Sequence, residues 1–124
     1  MKDDLISRQA AMTYKEIAAF VASIAEALGC GYHYYDEGEK DVIKTPYLLF
    51  DYPDRDDIRA DDRNYVRVQR LNLEYDSKMK DIDAEAVIEK MLDDADLAYT
   101  KEDTRYDGAD AYGVMYSTEV IVNG

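Results

Sequence analysis

Apolar and polar residues alternate along two stretches of the chain in the way that predicts β-strands. The longer stretch, Asn64–Lys78, is expected to be the central strand of a sheet. Its apolar positions change face midway, with Val66 and Val68 on one face and Leu71, Leu73 and Tyr75 on the other. This change of phase indicates either burial on both faces or a β-bulge that bends the strand. The second stretch, Tyr112–Val122, predicts the last strand.

A helix is predicted to begin after Thr13. Thr13 and Glu16 have the spacing of a capping box, in which each side chain bonds the other residue's backbone amide. Apolar residues then recur at helical spacing as far as Gly29, a residue that commonly ends helices. Residues 1–12 are therefore expected to form an N-terminal arm outside a single domain at 13–124.

A second amphipathic helix is predicted after the long strand. Asp81 and Asp83 are both suitable first residues, and an apolar stripe follows at positions 84, 87, 88, 91, 92 and 95. If Asp83 is the N-cap, Ile82 is expected to pack on Val87 as a hydrophobic staple. This helix should cover one face of the sheet.

Shorter strands complete the predicted order of elements. They are expected at Tyr32–Tyr35, at Pro46–Tyr52, which is entered through a proline that suits a strand start, and at Leu97–Thr100. The segment Asp54–Arg63 is predicted to be a loop. The order α-β-β-β-α-β-β, with links too short for βαβ crossovers, predicts an α+β fold. In it, two amphipathic helices pack on a small, mostly antiparallel sheet.

The charge of the chain excludes some classes of function. Its 124 residues include 28 acidic and 15 basic ones, which gives a formal net charge of −13. Nucleic acids and anionic membranes repel such a protein, so neither is expected as a specific partner.

With one cysteine, Cys30, an internal disulfide is impossible. No apolar run approaches the roughly 20 residues that cross a bilayer, and residues 1–11 lack the apolar region of a signal peptide.

Motifs for catalysis are scarce. The sequence has no glycine-rich phosphate loop, nucleophile elbow, CxxC or HExxH, and its one histidine, His33, lies between tyrosines in a predicted strand. Pro53, Asp54, Asp76 and Lys78 match the loose PD...(D/E)xK outline of metal-dependent nucleases, in which carboxylates hold Mg²⁺. Such a triplet is expected by chance in so acidic a chain, and a nuclease also needs a basic track for DNA. We therefore predict no catalytic residue, metal or cofactor.

The predicted loop Asp54–Arg63 is the candidate for contacts with other proteins. Neither this segment nor Asp107–Gly113 has the ligand order of an EF-hand calcium loop. Alternating acids and arginines suit salt bridges to a second copy or to a partner protein. The candidate interaction residues are Asp54, Arg55, Asp56, Asp57, Arg59, Asp61, Asp62 and Arg63.

Tyrosine supplies the second set of candidates. The chain has 12 tyrosines and no tryptophan, and half-buried tyrosines are enriched at protein interfaces. The candidates for contacts between subunits are Tyr47, Tyr52, Tyr106, Tyr112 and Tyr116. Together with exposed strand edges they could join one sheet to the next in a ring.

Four segments follow one another in a recognisable order along the chain. These are TYKEIAAFV, TPYLLFDYP, ADDRNYVRVQRLNLEYDSK and DAEAVIEKMLDDADLAYTKEDTRYDGADAYGVMYSTEVI. In this order, which covers Thr13–Val122, the chain resembles the small tail-terminator or tail-completion proteins of long-tailed phages and prophages of Gram-positive bacteria. No catalytic motif is part of the resemblance, and residues 1–11 depart from the expected pattern.

This resemblance implies a structural role in head–tail joining. Such proteins form a ring, typically of six subunits, on the head-proximal end of the tail tube, where they stop its polymerisation. The implied partners are further copies of the chain, the major tail tube protein and a head-completion or connector protein. The implied location is the virion tail, assembled in the bacterial host cytoplasm. DNA would pass through the lumen without specific binding, and the segment Asp54–Arg63 would face the lumen or a neighbouring ring.

Three alternatives remain open at the level of the sequence. A head–tail connector or head-closure protein would use the same acidic ring at another position in the virion. A metal-dependent nuclease would use Asp54, Asp76 and Lys78. An acidic regulatory protein would bind a basic host partner as a monomer and imitate DNA.

Overall fold

The computed structural model describes residues 10–34, 45–105 and 112–123. These residues form two helices and six strands. The helices are α1 (Tyr14–Leu28) and α2 (Ile82–Asp94). The strands are β1 (Gly31–Tyr34), β2 (Tyr47–Asp51), β3 (Ile58–Ala60), β4 (Arg63–Ser77), β5 (Tyr99–Arg105) and β6 (Tyr112–Val122).

The sheet has the strand order β1-β2-β4-β6-β5, with β3 also paired to β4. β1 and β2 are parallel, and every other pair is antiparallel. β4 is the central strand, because it pairs with β6 on one side and with β2 and then β3 on the other. The predicted α+β class, the mostly antiparallel sheet and the central strand are confirmed.

Burial on both faces explains the change of phase in β4. The register between β4 and β6 is continuous from Arg67 to Ser77, so no bulge interrupts this pairing. Leu71 and Leu73 are fully buried in the core under the helices. Val68 is also buried, on the opposite face. The strand therefore has apolar residues on both faces at different points along its length.

Both helices begin at a capped residue. At α1 the predicted capping box forms, since the Glu16 amide donates to Thr13 Oγ1 at 3.1 Å and the Thr13 amide donates to Glu16 Oε1 at 3.0 Å. At α2 the N-cap is Asp81, whose carboxylate accepts from the Ala84 amide at 3.0 Å. The predicted staple of Ile82 depended on Asp83 as the cap. Because the helix begins earlier, Ile82 lies in its first turn and is 70% exposed.

One core lies between the helices and one face of the sheet. Its fully buried side chains include Ile17, Val21, Ile24, Leu48, Leu71, Leu73, Ile88, Leu92 and Tyr116. Met12, the last residue of the predicted arm, is hydrogen-bonded to the end of β6. Its amide donates to the Ile121 carbonyl at 2.9 Å, and its carbonyl accepts from the Asn123 amide at 3.1 Å. Residues 1–9 of that arm lie outside the described residues. Neither helix is long and apolar enough to cross a membrane.

The prediction of a loop throughout Asp54–Arg63 was wrong. Ile58–Ala60 forms β3, and Ala60 pairs with Arg63 across a two-residue turn. Asp61 and Asp62 both have positive φ, at 51° and 61°, as a type I′ turn requires. Aspartate tolerates this backbone region better than most residues, although Asn-Gly is the more recognisable signal for such a turn. The acidic segment is therefore one strand and the turn of a β-hairpin.

Candidate functional site

The hairpin arm, residues Asp54–Arg67, extends beyond the rest of the sheet. β6 pairs with β4 only from Arg67 onward, so among the described residues β4 positions 63–66 pair with β3 alone. The register shifts between Ile58 and Arg59, which leaves Tyr65 as an extra residue on β4. The exposed residues of the arm beyond this point are Arg59, Ala60, Asp61, Asp62, Arg63 and Tyr65. This end of the arm is therefore accessible to another molecule.

The base of the arm is fixed to β4 by Asp54. Its carbonyl oxygen accepts from the Arg70 amide at 3.0 Å and from Gln69 Nε2 at 2.8 Å. Its carboxylate accepts from Arg70 Nε at 2.6 Å. Gln69 also accepts a hydrogen bond of 2.6 Å from the hydroxyl of Tyr14, the first residue of α1. The base of the arm is thus held to both the sheet and the first helix.

Asp57 forms a second attachment. Its Oδ1 accepts from the Val68 amide at 2.9 Å and from Arg55 Nε at 3.1 Å, and its Oδ2 is paired with the Arg55 guanidinium. The hydrogen bond from Arg55 lowers the pKa of Asp57, with help from the Val68 amide and against the effect of burial. Asp57 and Arg55 therefore act within the subunit and orient the arm.

The structure divides the eight candidate residues of this segment into two groups. Asp54, Arg55 and Asp57 hold the base of the arm, as does the Asp56 amide, which donates to the Val68 carbonyl at 2.9 Å. The exposed end carries the other four, which are Arg59, Asp61, Asp62 and Arg63. Sequence reasoning missed Tyr65 and Arg67, which lie at this same end and are exposed. Both residues fall within the predicted central strand, and only the limits of the pairing with β6 show that this part of the strand extends beyond the sheet.

The tyrosine candidates occupy different environments. Tyr116 is fully buried, and its hydroxyl donates to Glu89 Oε2 at 2.9 Å, so we leave it out of any proposed interface. Tyr47, Tyr52 and Tyr112 are half-buried. Tyr52 packs edge-on against Tyr14, with ring centroids 5.3 Å apart, and so belongs to the support of the arm. Tyr106 lies outside the described residues.

A network of ion pairs fixes α2 to the sheet. Glu85 is 3% exposed and lies 2.6 Å from Lys101 Nζ and 2.9 Å from Lys80 Nζ. Lys101 also pairs with Glu89 at 2.9 Å, and Lys80 with Asp103 at 3.0 Å. The hydrogen bonds that Lys101 donates to Glu85 and Glu89 raise its pKa. Several acidic residues of this chain therefore have an internal structural role.

The three residues of the nuclease outline do not meet. Asp54 lies opposite Arg70, six residues before Asp76 on β4, which corresponds to about 20 Å along the strand. Asp76 is 2% exposed and hydrogen-bonded to Tyr47, whereas Lys78 is exposed. Within the described part of the chain, no three residues among His, Cys, Asp and Glu are placed to hold a metal ion. The geometry therefore gives this alternative no support.

No protein-family model and no curated protein matches this chain. Among solved structures, it is similar to a chain in the virion of a native gene transfer agent particle. The two have a TM-score of 0.57 and 16% sequence identity, and the match covers 83% of this chain and 86% of the other. At this level of identity the similarity shows a shared fold.

Proposed function

We propose that this chain is a structural protein of a phage virion, and specifically a tail terminator. It would form a ring, of six subunits in our proposal, on the head-proximal end of the tail tube and offer a surface for the head-completion protein. The observation that supports this most is the fold shared, over most of both chains, with a chain of a virion particle. The resemblance of Thr13–Val122 to tail-terminator proteins supports the position in the tail and a Gram-positive host.

The hairpin arm suits a protein that assembles with copies of itself. Its base is held by the contacts of Asp54, Asp57 and Gln69, while its end is exposed. A segment that is ordered before it binds loses less conformational entropy on association than a flexible loop does. The half-buried Tyr47 and Tyr112 are further proposed contacts between subunits or with the tail tube.

The charge of the chain suits a ring through which DNA passes. Each subunit carries a formal charge of −13, so a ring of them would repel the phosphate backbone. DNA would then move through the lumen without adhering to it. The subunit would be assembled in the bacterial cytoplasm and remain in the virion.

The test is the absolute mass in solution, measured by light scattering after size exclusion. The protein is studied over a range of concentrations, with and without purified major tail tube protein. We expect a discrete ring, either alone or on contact with the tube, and electron microscopy should then show tubes capped at one end. A chain that stays monomeric and leaves tube length unchanged would refute the proposal.

A head-closure or connector protein is the second candidate. The similar chain belongs to a virion particle, and a shared fold with it supports both positions equally. The two differ in their partner. A ring that binds the head connector and leaves the tube unaffected would decide for head closure.

A further inference from the structure

Exposed apolar side chains lie at both ends of the central strand. In the described residues, three large apolar side chains are more than two-thirds exposed: Tyr65 at 76%, Met79 at 73% and Ile82 at 70%. Tyr65 lies in the hairpin arm, whereas Met79 and Ile82 follow the end of β4 at Ser77. Twelve residues of strand separate Tyr65 from Ser77, which is about 40 Å. The two exposed patches therefore lie far apart on one subunit.

We propose that these two patches are the two halves of one contact between copies of this chain. Tyr65 of one copy would pack on Met79 and Ile82 of the next copy. The inference rests on the proposed ring and adds to it the surfaces that build it. Because the patches differ and lie at opposite ends, the contact is heterologous. Its repetition produces a ring if the rotation from each copy to the next brings the last copy back to the first.

Charge on the arm favours a second copy of this chain as the partner. Arg59, Arg63 and Arg67 are exposed, whereas Arg55 and Arg70 are ion-paired at the base of the arm. Arg67 also lies close enough to Asp57 to help lower the pKa of that carboxyl. Residues 58–67 contain three arginines and two aspartates, whereas the whole chain carries −13. The end of the arm, residues 58–67, therefore carries a net charge of +1 on an acidic subunit, and the acidic surface of another subunit attracts it.

The receiving surface has the matching character. Met79 borders an open depression of about 370 Å³ that Pro46 and Tyr75 also line. Asp81 also lines it, Asp83 follows in the first turn of α2, and both are exposed. Lys78 and Lys80 line it too; Lys80 is paired with Glu85 and Asp103, while Lys78 is exposed. A depression with three apolar lining side chains and an exposed aspartate at its edge is suited to an aromatic side chain flanked by arginines, the residue types that contribute most to binding at interfaces.

The experiment uses one variant of each surface in the full-length chain. Tyr65→Ser removes the arm contact, and the double substitution Met79→Ser with Ile82→Ser removes the receiving contact. All three side chains are exposed, so the variants should fold, which circular dichroism and thermal unfolding will verify. Tyr32→Ser is the control, because Tyr32 is an exposed tyrosine of β1 outside both patches.

We expect each variant to weaken the contact roughly thirtyfold and to remain monomeric at concentrations where the wild type and Tyr32→Ser form rings. A mixture of the two variants is the decisive sample. Each pair then keeps one intact arm and one intact receiving surface, so the mixture should give a dimer of twice the 14.2 kDa subunit mass and nothing larger. If rings require the tail tube, the same samples are added to tube protein and capped ends are counted by electron microscopy.

The outcomes separate this inference from the proposed function. Rings formed by both variants would overturn the inference and leave the ring proposal intact. Variants that stay monomeric when mixed would also overturn it, because the two substitutions would then not lie on opposite sides of one contact. A wild-type chain that is monomeric alone and with the tube would overturn both proposals.

Discussion

The ion pairs beneath α2 allow a sharp comparison between two lysines. Replacement of Lys101 with methionine keeps the length of the side chain but removes a charge that lies 2.6 Å from Glu85 and 2.9 Å from Glu89. Lys90→Met removes a charge of the same kind that pairs with Asp94 at 3.0 Å on the outer surface of α2. The two substitutions are chemically identical and differ in the burial of the partner.

The burial of each ion pair gives the loss in the free energy of unfolding that we expect for each substitution. Removal of one partner from a fully buried ion pair costs about 3–5 kcal/mol. Lys101 is 34% exposed, and Glu85, with 4% of its side chain exposed, keeps Lys80 as a second partner, so we expect a loss of about 2 kcal/mol for Lys101→Met. The Lys90 and Asp94 side chains are 76% and 64% exposed, and Lys90→Met should cost less than about 0.5 kcal/mol.

Urea denaturation followed by circular dichroism measures both values. A loss of about 2 kcal/mol should lower the unfolding midpoint of Lys101→Met by about 1–2 M, with an unchanged slope. Because assembly stabilises folded subunits, all samples are compared at one low protein concentration at which the wild type is monomeric. Equal midpoints for the two variants would refute the reasoning, since the burial of Glu85 would then have no effect on stability.

Two further predictions concern pH and the turn of the arm. Burial alone would raise the pKa of Glu89, but hydrogen bonds from Lys101 and Tyr116 outweigh it and lower the pKa below its usual value of 4.5. Ionised Glu89 should therefore contribute to the free energy of unfolding above pH 4.5, and this contribution should decrease as the pH falls further. In Lys101→Met, the free energy of unfolding should decrease less over the same acidic range. Asp62→Gly should raise the free energy of unfolding by about 0.5 kcal/mol, because glycine adopts the φ of 61° without steric cost, whereas Ala60→Gly in β3 should lower it. If thermal unfolding shows that both glycine variants are equally destabilised, the turn is not of type I′.

The structure agrees with the sequence where the determining interactions are local. The capping box of Thr13 and Glu16 joins residues three positions apart, so their identities suffice to place the start of α1. Helical periodicity and the alternation in β4 are likewise properties of neighbouring residues. These signals gave both helices, the central strand and the α+β class.

The candidate site was predicted only in part. Composition led to the prediction that Asp54–Arg63 is a contact segment, but it could not separate the paired Arg55 from the exposed Arg63. Sequence reasoning named Tyr116, which is fully buried, as an interface candidate and missed Tyr65, which is 76% exposed. The difference depends on which strand lies beside each residue.

The sequence by itself determined both helices, the central and the last strand, and which faces of these elements are apolar. The tertiary structure decided that the acidic segment becomes a projecting hairpin, that Asp54 and Asp76 lie apart, and that Met79 and Ile82 remain exposed. Strand pairing and ion pairs join residues that are distant along the chain, such as Arg67 with Val122 and Lys101 with Glu85. The free energy of these contacts depends on the geometry of the whole fold, and a local pattern of residues does not specify that geometry.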